Sequence, residues 1–82
     1  MSASIMYRPT KGAHDLGVSA PSSFLDAMDK VFGGRPYCLN ENSGERLTAM
    51  ASVFAGEDKE NPYKKLLDLV SKHGEIEVWP EY

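Results

Sequence analysis

An α+β domain, with the first and last strands side by side in one small sheet and three helices packed on one of its faces, is the fold class this 82-residue sequence predicts. Two-residue alternation of apolar and polar side chains marks both ends of the chain, and helical spacing marks three stretches between them. Glycine, proline and asparagine punctuate every junction. Strands flanking helices, without regular strand–helix alternation, point to α+β rather than a parallel α/β sheet.

Ser2 to Arg8 sets Ala3, Ile5 and Tyr7 against Ser4, Met6 and Arg8, the pattern of a half-buried strand, and Pro9 closes it. From Thr10 to Ala20 the chain is loop-like and rich in small residues, with a hairpin back onto the first strand through Leu16 and Val18 as the alternative. A first helix is expected over residues 21–32. Phe24, Leu25, Met28, Val31 and Phe32 form its apolar stripe, Pro21 stands in its first turn, and Gly33-Gly34 ends it. Pro36 to Leu39 reads as a short strand.

A second helix carries Leu47, Met50, Ala51 and Phe54 on one stripe, with Asn42 and Glu45 spaced as a capping box and Gly56 as its stop. The third starts at Asn61-Pro62, an N-cap followed by proline at the first helical position, and buries Tyr63, Leu66, Leu67 and Val70. His73-Gly74 ends it, a cation-capable side chain before a left-handed cap. The last strand, residues 75–82, alternates Ile76, Val78 and Tyr82 against Glu75, Glu77 and Glu81, with Pro80 near its end. Phe24, Met28, Phe32, Met50, Phe54, Leu66, Leu67, Val70, Ile76 and Val78 are the expected core.

LDAMDKVFGG (25–34) and LTAMASVFAG (47–56) agree at six of ten positions. Most of the shared positions are apolar and helically spaced, which two helices covering one core would share in any case. Stacked repeats need about three copies, and the third helix does not follow the pattern. The similarity therefore predicts a common core and no ligand.

Composition bounds function. Hydrophobic residues make up 41% and charged residues 26% of the chain, which excludes wholesale disorder. No apolar run approaches the ~20 residues that span a bilayer, and no signal peptide is evident, so a cytoplasmic setting without a membrane partner is expected. The net charge of −3 arises in residues 42–82, where eight acids face five bases. Nucleic acid is not an expected partner, because binding it needs a basic stripe. Cys38 is the only cysteine, so no internal disulfide can form; beside Tyr37 and Leu39 it reads as a small buried hydrophobe.

Catalysis finds little support. His14-Asp15 pairs a base with a carboxylate, but adjacent residues rarely face each other and no nucleophile is spaced to meet them. Gly33-Gly34-Arg35-Pro36 follows a helix rather than opening one, which excludes a phosphate loop. The run Glu57-Asp58-Lys59-Glu60 reads as a solvated linker. With two histidines, one cysteine and scattered carboxylates, no catalytic residue, metal site or cofactor is expected.

One feature stands out. Trp79 falls on the glutamate side of the last strand, and Met6 on the polar side of the first. If these strands pair, Met6 and Arg8 lie across from Glu77, Trp79 and Glu81, forming an apolar patch with a charged rim. The alternative is that residues 10–20 fold over the indole and complete the core. The patch predicts a small acidic, non-enzymatic protein-binding module that meets a protein partner, a second copy through a sheet edge or face included. Two further classes are an inhibitor of phage type, offering acidic side chains to a basic nucleic-acid-binding surface, and an enzyme built on the His14 loop. The octapeptides SASIMYRP and EIEVWPEY have the look of a short bacterial or phage reading frame, an accessory protein.

Overall fold

The computed structural model describes residues 3–54, 56 and 58–82; the expected strand start at Ser2 and the linker residue Glu57 lie outside them. The elements are β1 (Ala3–Arg8), β2 (His14–Ala20), α1 (Ser22–Phe32), β3 (Tyr37–Asn40), α2 (Gly44–Ser52), α3 (Pro62–His73) and β4 (Glu75–Glu81). The four strands form one antiparallel sheet in the order β2-β1-β4-β3. The terminal strands are neighbours, as expected.

The hairpin forms where a loop was expected. β2 returns along β1 and carries an irregularity: Ser4 pairs with Ser19 but Met6 pairs with Asp15, so β2 holds two extra residues there. Gly17 supplies the positive φ (+91°) this bulge needs, and its N–H donates to Asp15 Oδ1 at 2.7 Å. Leu16 and Val18, two residues apart, both face the core. Small residues that suggested a loop are here the chemistry of a bulge. At the other side of the sheet β3 begins at Tyr37 opposite Val78, two residues short of Pro80, so β4 holds a proline where β3 does not pair with it.

The inner face of the sheet presents Ile5, Tyr37, Leu39, Ile76 and Val78, all buried against Phe24, Met28, Leu47, Leu66 and Val70 of the helices. Aromatic contacts knit the helical layer: the Phe24 and Tyr63 rings lie 5.1 Å apart, and Phe54 meets Tyr63 edge-on at 5.9 Å. Asn61 is buried at the α2–α3 junction. Its Oδ1 accepts from Tyr63 N–H and its Nδ2 donates to the carbonyl of Ala51, each at 3.1 Å, so one side chain caps α3 and satisfies α2.

Several expectations are corrected. Phe32, Met50, Phe54 and Leu67 pack against the core but are only partly buried, at the margins of the helical layer, where the other described residues do not fully cover them. Val31 is exposed, and Val53, its counterpart in the repeat, is 81% exposed beyond the last turn of α2. The repeat thus shares its leucines with the core and not its valines. Pro21 is the N-cap of α1 rather than its first residue. Before α2 the capping pair is not Asn42 with Glu45: Asn40 Oδ1 accepts from Asn42 N–H at 2.8 Å, and Asn40 N–H donates to Ser43 Oγ at 3.1 Å, around a short 3-10 turn. Cys38 is exposed, not buried, because the inward positions of β3 belong to Tyr37 and Leu39.

Candidate functional site

All three helices pack on the inner side, so none of them covers the outer face of the sheet. Register fixes what it displays. Met6 lies directly across from Trp79 and Asp15, Arg8 from Glu77, and Ser4 from Glu81 and Ser19; on the far side of β4, Glu77 faces Cys38 and Glu75 faces Asn40. The five residues expected to share a patch, Met6, Arg8, Glu77, Trp79 and Glu81, are therefore on one face of two adjacent strands.

Arg8 does not close on its opposed partner. Its guanidinium carbon stands 5.1 Å from the centroid of the Trp79 ring, a cation–π contact made along the diagonal, and no ion pair joins it to Glu77. Trp79 is half-buried. Residues 14–20 do not fold over it, since they form β2, which lies beyond β1 on the side away from β4.

Next to the indole the surface dips into a cleft of about 340 Å3, lined by Arg8, Arg35, Pro36, Glu77, Trp79 and Tyr82. Its far wall is tied down by a cluster that sequence reading missed. The Tyr37 hydroxyl donates to Asp29 Oδ1 at 2.6 Å. Arg35 Nε–H lies 3.3 Å from Asp29 Oδ1 and 3.2 Å from the Tyr37 hydroxyl oxygen, and Arg35 Nη2 donates to Asp29 Oδ2 at 3.2 Å. The Tyr37 bond, then Arg35, holds the Asp29 carboxyl below its ordinary range, while burial and then Asp29 push the Tyr37 phenol up. The same two partners raise the Arg35 guanidinium. Tyr82 itself is 84% exposed at the mouth of the cleft.

The histidine loop is not a loop. His14 opens β2 with its ring 5.5 Å from that of Tyr7, and it pairs with Tyr7 on the face opposite Asp15. The carboxylate is thus turned away from the imidazole. Among the described residues no group of three or more His, Cys, Asp and Glu is placed to hold a metal ion, and no helix is long and apolar enough to cross a membrane.

A second concavity, about 410 Å3, runs between α1 and α2 and is lined by Pro21, Ala27, Met50, Val53, Phe54 and Tyr63. It holds no charged side chain to orient a partner, whereas the cleft beside Trp79 combines tryptophan, tyrosine and arginine, the residue types that dominate interface energetics. No protein-family model, curated protein sequence or solved structure matches this chain.

Proposed function

We propose that this protein is a small, non-enzymatic binding module that engages another protein through the outer face of its sheet, with Trp79 as the anchor. The half-buried indole on the sheet face that no helix covers, braced by Arg8 and bordered by a cleft, is the observation that carries the reading. A braced aromatic loses little rotamer freedom on binding, so more of its burial counts toward affinity. The turned-apart His14 and Asp15 support the non-enzymatic part, since a general base here would have no orienting carboxylate. An exposed, unpaired thiol at Cys38 fits a reducing, cytoplasmic compartment.

Capture from lysate tests the reading when wild type and Trp79→Ala are compared as baits. A partner retained by wild type and lost with Trp79→Ala, at unchanged circular dichroism, supports it. Equal capture by both proteins refutes it.

A further inference from the structure

The outer face has an uneven charge. Its strand residues include four carboxylates, Asp15, Glu75, Glu77 and Glu81, against one guanidinium, Arg8, for a net −3. That equals the formal charge of the whole chain, so the remaining eight acids and eight bases cancel. The excess is concentrated on the one face that no helix covers.

Position sharpens the asymmetry. The Met6–Trp79 pair has Asp15 beside it in the same cross-strand row, Ser4 and Glu81 in the row on one side, and Arg8 and Glu77 in the row on the other. The one cation among these strand residues lies over the indole, Arg35 in the adjoining cleft is held by Asp29, and among the described residues none of the four carboxylates closes an ion pair. Asp15 Oδ1 already accepts from Gly17 N–H, which leaves Glu75, Glu77 and Glu81 to meet charge from outside.

Resting on the reading of this face as the binding surface, we propose that its partner is a basic protein surface: a lysine- or arginine-bearing segment that lays apolar stems on Met6 and Trp79 and sets its cations beside Glu77 and Glu81. Long basic side chains suit such a patch, since their methylene stems cover apolar surface while their heads reach carboxylates. A second copy does not fit, because a two-fold contact would bring the same −3 face against itself. Nucleic acid and acidic peptides meet the same repulsion. Strand addition at an edge is also disfavoured: β2 is interrupted at its bulge, and β3 is four residues long with Asn40 N–H already donated to Ser43.

The test is a titration of the full chain with an oligolysine peptide, followed by Trp79 emission and by backbone amide shifts, with oligoglutamate and duplex DNA as comparison ligands. The proposal expects saturable shifts in β1 and β4 with oligolysine alone, weakened about tenfold from low to physiological salt as screening sets in. The double variant Glu77→Gln/Glu81→Gln should weaken binding by a similar factor, and Glu45→Gln, on exposed α2, should leave it unchanged. Shifts confined to the helices, equal loss with Glu45→Gln, a response to oligoglutamate or DNA at β1 and β4, or no saturable shift would each overturn it. The two ideas separate cleanly. If oligolysine fails while a lysate partner still depends on Trp79, the basic partner is wrong and the binding face stands.

Discussion

Arg8 reaches past Glu77, which lies directly across the β1–β4 seam, and rests instead over Trp79, 5.1 Å from the ring centroid. An exposed ion pair contributes little in water, whereas a guanidinium on an indole keeps its solvation and covers apolar surface as well. The contact fixes the orientation of the one tryptophan in the chain. Arg8→Ala is expected to red-shift Trp79 emission and to cost no more than about 1 kcal/mol in urea unfolding. An unchanged spectrum would mean that the guanidinium does not shield the ring.

The cluster of Asp29, Arg35 and Tyr37 predicts a pH dependence with two sides. Asp29 titrates below its ordinary 3.8 in the folded protein, so its contribution is present above that pH and is lost as pH falls through the lowered value. Tyr37 titrates above its ordinary 10.0, so its contribution is complete below pH 10 and is lost as pH rises through the raised value. Urea unfolding across the pH range should show the acid slope reduced in Asp29→Asn and the alkaline slope reduced in Tyr37→Phe. Wild-type slopes in both variants would contradict the cluster.

Burial separates two phenylalanines of one helix. Phe24 is 1% exposed and stacked on Tyr63, while Phe32 is only partly buried. Phe24→Ala should cost about 3 to 5 kcal/mol, enough to leave a domain of this size largely unfolded, and Phe32→Ala about 1 to 2 kcal/mol. Thermal unfolding that ranks them equally would show that α1 is rotated from the orientation described.

Asn61 serves two helices at once. Asn61→Ala removes the cap of α3 and one of the donors to the Ala51 carbonyl, which keeps Phe54 N–H at 3.3 Å, an expected loss of about 1 to 2 kcal/mol. Asn61→Asp keeps the cap but cannot donate to Ala51, so it should fall between alanine and wild type. An alanine variant as stable as wild type would contradict both bonds.

Periodicity carried most of the fold. The alternations around Ile5 and Val78 located β1 and β4, and Asn61-Pro62 with Gly74 bounded α3 at both ends. The same alternation, carried one residue further, would have put Cys38 outside, because Tyr37 and Leu39 already claim the inner positions of β3. Phe32 and Phe54 misled because spacing shows which face of a helix is apolar, not how far the cover extends over it. The cleft was illegible for a different reason. Arg35 returns to Asp29 in the preceding helix through a turn, and it shares a cleft with Trp79 and Tyr82 from the far end of the chain, so no local pattern announces the site.

Quenching of Trp79 emission in dilute, isolated protein tests the central claim most directly. A ring offered to a partner should be open to acrylamide when free and should turn blue and protected when a partner retained only by the Trp79-containing bait is added back. Blue, quencher-resistant emission in the dilute protein, unchanged by that addition, would make Trp79 part of the core and end the case for the outer face as a binding surface.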